Sequence, residues 1–254
     1  MNKAILEEIR NKREFSQLSE KDIELAYSQF EKRQTTEEEK IKLTKELLRK
    51  LFSAFVSKKL LSLKNKEPEW ILRKHISTKE RLPYYPEIYK QILQEYKTAS
   101  VIDLGAGING MSYPFFSKAG VKVSYTGIES VGQLVDLTNF YFKNNKLNGK
   151  SIHLSLFDKK KVLDIIKKEK KPKIIFMFKV IDALEDLKRD YSKEILFEIV
   201  PLADKVVVSF ATKSLGNRKL FKTKRSWILD FIESNFNVLD KFEIGGEKYI
   251  VFKR

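Results

Sequence analysis

The stretch Val101-Ile102-Asp103-Leu104-Gly105-Ala106-Gly107-Ile108-Asn109-Gly110 constrains the fold more than any other part of the chain, because an apolar run of strand character passes directly into a glycine-rich turn. Gly105 and Gly107 carry no Cβ, so the backbone there can turn sharply and let a ligand lie against it, and a helix after the turn would offer free N–H groups. From Ala99 onward, short β-rich runs alternate with helical stretches, which predicts a parallel sheet with crossover helices. Strands are expected at Ser100–Leu104, Lys122–Ile128, Ser151–Leu156, Lys173–Phe178, Lys205–Phe210, Phe236–Phe242 and Lys248–Phe252. Only Glu243-Ile244-Gly245-Gly246-Glu247 joins the last two. That span suits a hairpin and is too short for a crossover helix, so the final strand should run antiparallel.

Up to about Tyr96 the pattern is helical. Lys3–Arg13, Glu20–Arg33, Glu37–Lys58 and Pro86–Tyr96 place apolar residues at three- and four-residue spacing. Thr35-Thr36 before Glu37-Glu38-Glu39 puts a hydroxyl cap ahead of an acidic first turn, so a helix should start near Thr36, with Leu43, Leu47, Leu51 and Phe55 on its buried face. The expected class is α/β: a Rossmann-like, seven-stranded sheet of the methyltransferase kind with a C-terminal antiparallel hairpin, preceded by an N-terminal helical domain. The change of period places a domain boundary between residues 1–96 and 97–254.

With 254 residues and 42% hydrophobic content the chain can bury a substantial core. It has no cysteine, which removes disulfides, zinc-thiolate sites and thiol nucleophiles, and its two histidines, His75 and His153, argue against a histidine-built metal site. No apolar run reaches the ~18 to 20 residues of a membrane span, and Met1–Arg13 is charged without a signal-peptide core, so a soluble, cytoplasmic protein is expected. A formal charge of +16 favours a polyanionic partner, nucleic acid first, since neutralising phosphates releases counterions. Lysine and glutamate rising together as a bulk adaptation is the competing reading.

Asp103 stands beside the first glycine, where a carboxylate can orient a cationic amino-acid moiety but would repel a pyrophosphate, so S-adenosylmethionine suits the turn Gly105-Ala106-Gly107. Gly105, Gly107 and Gly110 also satisfy G-x-G-x-x-G, which keeps a dinucleotide-binding fold open as the alternative. Glu129, ending the second strand, can accept from ribose hydroxyls under either reading. Asp158 after the third strand is either an acceptor for the adenine amine or an ordinary N-cap of the helix Lys159–Lys168.

Three further segments, His75-Ile76-Ser77-Thr78-Lys79-Glu80-Arg81-Leu82-Pro83, Ser209-Phe210-Ala211-Thr212-Lys213-Ser214-Leu215-Gly216 and Gly245-Gly246-Glu247-Lys248-Tyr249, together with Asp103–Asn109, resemble the aminoglycoside-resistance 16S rRNA (guanine-N7)-methyltransferases in that order. The resemblance spans roughly residues 70 to 254. It departs at Gly105-Ala106, where alanine and cysteine are expected, and at Ala211, where proline is usual. It implies a two-domain enzyme whose helical domain grips 16S rRNA in the 30S subunit while the second domain methylates guanine N7 in the decoding region, potentially conferring aminoglycoside resistance; a monomer is expected, although the sequence does not encode its oligomeric state legibly. Guanine N7 presents a lone pair, so no general base is needed. Arg81 is the candidate for the cofactor carboxylate, since a guanidinium pairs bidentately with one.

Phe178 and Lys179 should line the target-base pocket at the C-terminal edge of the sheet. Lys58, Lys59, Lys64 and Lys66, grouped with Lys45, Arg49, Lys50, Arg73 and Lys74, and the loop residues Lys213, Arg218 and Lys219 are expected to meet RNA phosphates. The readings left open are a methyltransferase of another RNA or a small molecule, a nicotinamide-dependent oxidoreductase, and a non-catalytic RNA-binding protein with a degenerate cofactor fold.

Overall fold

Strands buried on both faces read as continuous apolar runs, and those of this chain assemble into one mixed sheet in a computed structural model that describes residues 1–52, 66–212 and 225–254. Among the described residues, the helices α1 (Lys3–Arg10), α2 (Glu20–Glu31), α3 (Glu37–Leu51), α4 (Pro68–Leu72), α5 (Ile76–Arg81) and α6 (Tyr85–Leu93) come first. Then follow β1 (Thr98–Leu104), α7 (Pro114–Lys118), β2 (Lys122–Glu129), α8 (Gly132–Asn144), β3 (Gly149–His153), α9 (Lys159–Lys168), β4 (Lys173–Phe178), α10 (Ile181–Leu187), α11 (Tyr191–Ile199), β5 (Lys205–Ala211), α12 (Ser226–Asn235), β6 (Asn237–Ile244) and β7 (Glu247–Lys253). The order across the sheet is β3-β2-β1-β4-β5-β7-β6. β1 to β5 are parallel, while β7 runs antiparallel between β5 and β6. Gly245 and Gly246 make the hairpin turn at φ +63° and +78°, the backbone a type I′ turn requires.

The two-residue period of the strands sorts the core into two layers. Val101, Tyr125, Phe176, Val207 and Tyr249 pack against α6, α7, α8 and the N-terminal helices, in one cluster that also holds Ile5, Leu18, Ile23 and Leu48. Ile102, Leu104, Ile175, Met177, Val208 and Phe252 face α9, α10, α11 and α12. The N-terminal helices therefore share a core with the sheet. They are also tied to the segments that follow β2 and β4: Ser19 N–H donates to Ser130 O at 3.0 Å, Gly132 N–H to Gln17 O at 2.8 Å, and Gln29 Nε2 to Asp186 O at 2.6 Å. No helix among the described residues is long and apolar enough to cross a membrane.

Several elements depart from the sequence-based expectations. The Thr36 hydroxyl accepts from Glu39 N–H at 3.2 Å, so α3 starts where the cap placed it, but its buried face is Thr44, Lys45, Leu48 and Leu51. Leu43 and Leu47 are only half-buried, whereas Lys45 is buried and reaches Glu8 at 2.7 Å; Phe55 and the expected continuation to Lys58 lie outside the described residues. β3 ends at His153, short of Leu156. After the glycine turn comes a 3-10 turn, Asn109–Ser112, and the following helix waits until Pro114, which cannot donate within a preceding helix.

Candidate cofactor site

Strand order reverses between β1 and β4, and ligands of open α/β sheets bind beyond the carboxyl ends of strands at such a point. The register brings Asp103 near the end of β1, Glu129 at the end of β2 and Phe178 at the end of β4 to this one edge. Because β7 is antiparallel, its first residue arrives there too: Glu247 pairs with Ala211, the last residue of β5. An open cavity covers the edge. Arg81, Asp103, Gly105, Ala106, Gly107, Glu129, Phe178 and Lys179 all line it.

The turn is fixed by its own backbone. Gly105 and Ala106 N–H both donate to Ile128 O, at 2.9 and 3.1 Å, and Gly107 N–H donates to Glu129 Oε2 at 2.8 Å. Gly105 and Gly107 adopt φ +75° and +52°, conformations that favour glycine. Glu129 also accepts from Val131 N–H at 2.8 Å through Oε1. Burial nevertheless pushes its carboxyl up to about 7, against those two amide bonds and with a contribution from the nearby Asp22 charge.

A chain of buried polar contacts runs along the opposite wall. Asp103 Oδ2 accepts from Tyr125 OH and Asn109 Nδ2, both at 2.7 Å, and burial still holds this carboxyl above its ordinary value. Asn109 Oδ1 accepts in turn from Tyr85 OH at 2.7 Å and from Arg81 Nη1 at 3.2 Å. Arg81, 4% exposed, directs Nε at both Glu247 oxygens, at 3.2 and 3.0 Å, and sits 5.0 Å from the centre of the Phe178 ring. Lys179 Nζ lies 2.7 Å from Glu80 and 3.2 Å from Glu247, and the Ser209 hydroxyl also donates to Glu247. Burial alone would raise the Glu247 carboxyl, yet Arg81, Lys179 and the Ser209 hydrogen bond hold it below the ordinary carboxylate value. His75, on the same wall, is pushed down to about 3, by burial first and then by the Arg81 and Lys179 charges.

Arg81 thus makes a buried ion pair with a strand residue of β7, while its Nη2 has no hydrogen-bond partner among the described residues. Asp158 is not brought to the cavity. It opens α9 without capping it, and its carboxylate lies 3.8 Å from Lys161. The expected basic face is also altered, since Lys45, Arg49 and Lys50 are engaged by Glu8, Glu14 and Asp186. Lys66, Arg73 and Lys74 are exposed; Lys58, Lys59, Lys64, Lys213, Arg218 and Lys219 lie outside the described residues. No group of histidine and acidic side chains among the described residues could hold a metal ion.

The structure adds residues to which sequence reasoning gave no role. Asn109 and Glu247 lay inside segments singled out above, but only the fold shows that they link Asp103 to Arg81 and Arg81 to Lys179. Asp22, from α2, lines the cavity from a helix far upstream, and nothing in the local sequence signals it.

Comparison with known proteins agrees with this architecture. A family model described as "Ribosomal RNA methyltransferase (FmrO)" matches residues 46–251, well over half of the chain. The 16S rRNA (guanine(1405)-N(7))-methyltransferase of Proteus mirabilis is 25% identical over 190 residues, covering 72% of this chain and 64% of that protein. The protein of the same name from Micromonospora echinospora is 24% identical over 187 residues, covering 71% and 63%. The match thus spans somewhat under two thirds of the length of these curated relatives. The crystal structure of the 16S rRNA methyltransferase RmtF in complex with S-adenosyl-L-homocysteine superposes with a TM-score of 0.81 over 100% of this chain and 99% of that one, at 18% identity, a likeness of fold. Sheet order, glycine turn and family match converge, and the chain belongs to the FmrO family of ribosomal RNA methyltransferases.

Proposed function

We propose that the protein is an S-adenosylmethionine-dependent methyltransferase acting on guanine N7 of 16S rRNA, as a monomer engaging the 30S subunit in the cytoplasm. The observation that carries the cofactor reading is the state of the glycine turn. The Gly105, Ala106 and Gly107 amides are already spent on Ile128 O and Glu129, and the next helix starts only at Pro114, so these three amides and a helix N-terminus at the turn are not on offer to a dinucleotide pyrophosphate. The walls carry Asp22, Asp103 and Glu129 instead, which disfavour a polyanion and suit a ligand with a cationic amino-acid end and hydroxyl donors. The relatives' printed names supply the nucleotide and the atom.

In this reading Arg81, positioned by Glu247, offers Nη2 to the carboxylate of the methionine moiety, and Asp103 faces its ammonium. Glu129 receives the ribose hydroxyls. S-adenosylmethionine, when bound, supplies an electrophilic methyl group on a sulfonium sulfur. Guanine N7 already exposes a lone pair, so the chain needs no general base, and its work is alignment and exclusion of water. Phe178, stacked on Phe176 at 4.5 Å and braced edge-on by Tyr249, gives a fixed wall for the target base, with Lys179 beside it. The basic residues Lys58, Lys59, Lys64, Lys66, Lys213, Arg218 and Lys219 contact rRNA phosphates, and methylation in the decoding region protects the host from aminoglycosides.

Calorimetry with S-adenosylhomocysteine and NAD in parallel tests the cofactor reading, with binding of the first and not the second expected. NAD binding alone overturns it. Binding to 30S subunits that weakens steeply with salt is expected for the RNA substrate, and binding indifferent to salt removes that part.

A further inference from the structure

We propose that Asp22, from helix α2, recognises the base of the cofactor by accepting a hydrogen bond from the exocyclic amine of adenine. The assignment rests on the S-adenosylmethionine reading above and supplies what Asp158, turned toward Lys161, does not.

Three observations place Asp22 at the base. Along the cavity, Arg81 and Asp103 mark one end, while the glycine turn and Glu129 mark the middle. Asp22 lines the same cavity and sits next to the Glu129 side of it through its bond to Ser130, and Val131, Leu156 and Phe157 there offer apolar side chains that suit the faces of a flat heterocycle. Second, α2 is fastened to this wall: Leu18 bridges Val131, Ser19 N–H donates to Ser130 O at 3.0 Å, and the Ser130 hydroxyl donates to Asp22 Oδ2 at 2.8 Å. Third, Asp22 is 3% exposed and makes no ion pair among the described residues. Its polar neighbours are the hydroxyls of Ser130, Ser155 and Ser19. Those hydroxyls already donate to it, yet burial still raises its carboxyl, and a ligand amine would add a further donor to a buried acceptor that has no cation.

The simplest alternative is a capping box, since Asp22 follows Ser19 by three residues at the start of α2. That box is not formed on the Ser19 side, which makes no side-chain cap hydrogen bond, and Asp22 directs Oδ2 across to the loop after β2. The helical region would then contribute directly to cofactor recognition.

The test compares calorimetric affinities of the wild-type protein, Asp22→Asn and Asp22→Ala for S-adenosylhomocysteine and for S-inosylhomocysteine, in which a 6-oxo group replaces the amine. A hydrogen bond to a charged acceptor predicts that the wild type prefers the amine by about 10- to 100-fold. Asp22→Asn, whose amide can donate to the 6-oxo group, should narrow or reverse that preference, and Asp22→Ala should abolish it. An unchanged preference in both variants overturns the assignment and leaves Asp22 as a brace for Ser130. If Asp22→Ala fails to fold, the ratio in the near-isosteric Asp22→Asn decides alone. Failure of the wild type to bind S-adenosylhomocysteine at all is a different result: it overturns the cofactor reading, and this assignment with it.

Discussion

At Gly105 the backbone stands at φ +75°, and an added Cβ would lie 2.6 Å from Val180 Cγ2. Gly105→Ala combines left-handed strain with overpacking and should destabilise the fold by about 2 to 4 kcal/mol, read from the urea midpoint, while weakening S-adenosylhomocysteine binding. Glu129 gives a pH signature. The folded protein holds its proton up to about pH 7, whereas the ordinary value is 4.5, so its stabilising contribution is complete below 4.5 and lost as pH rises through 7. His75 acts in the opposite sense: kept neutral down to about pH 3 against an ordinary 6.5, it favours the folded state above 6.5, and that contribution disappears as pH falls toward 3. Ribose hydroxyls bind better to an ionised carboxylate, so affinity for S-adenosylhomocysteine should rise between about pH 6 and 8, and Glu129→Gln should flatten that rise in calorimetric titrations. Gly105, Gly107, Asp103 and Glu129 were legible in the sequence because strand ends and a glycine turn are local patterns. Asp22 reaches the cavity through tertiary packing, which leaves no local mark, and Glu247, although inside a singled-out segment, meets Arg81 only through the fold.

Among the elements, the β6–β7 hairpin does more than close the sheet. It carries Glu247 to the ligand edge, where it pairs with Arg81, both side chains being almost fully buried. Glu247→Ala leaves the Arg81 guanidinium buried without its partner, and a loss of about 3 to 5 kcal/mol in denaturant unfolding is expected, with Glu247→Gln losing less. By contrast the Thr36 cap of α3 sits in an exposed turn, and Thr36→Ala should cost only about 1 kcal/mol, read as a small fall in Tm. Strand and hairpin positions followed from apolar runs and from Gly245-Gly246. The buried side of α3 did not, because leucine spacing alone could not show that Lys45 would turn its stem inward toward Glu8. The helix expected after the glycine turn was interrupted by Pro114, a signal present in the sequence but outweighed there by the motif.

On the scale of the whole molecule, the helical region and the sheet share one apolar cluster and one cavity wall, so the cavity and the helical region are physically joined. The change of period near residue 97 showed where the sheet begins, but periodicity carries no information about which helix packs on which loop. The net charge of +16 is a property of the entire chain, and its pairing in Lys45, Arg49 and Lys50 shows that composition overstates the cations available to a partner. Charge reversal at Lys58 and Lys59 together should weaken 30S binding while leaving S-adenosylhomocysteine affinity unchanged; equal 30S binding by the double variant would remove these lysines from the RNA contact. The central claim is tested most directly by transfer of tritiated methyl from S-adenosylmethionine to unmodified 30S subunits, with free 16S rRNA and bulk tRNA alongside and the labelled base mapped. The account predicts label at guanine N7 in 16S rRNA of the 30S sample; label confined to tRNA, or none in any sample despite measured cofactor binding, would contradict it.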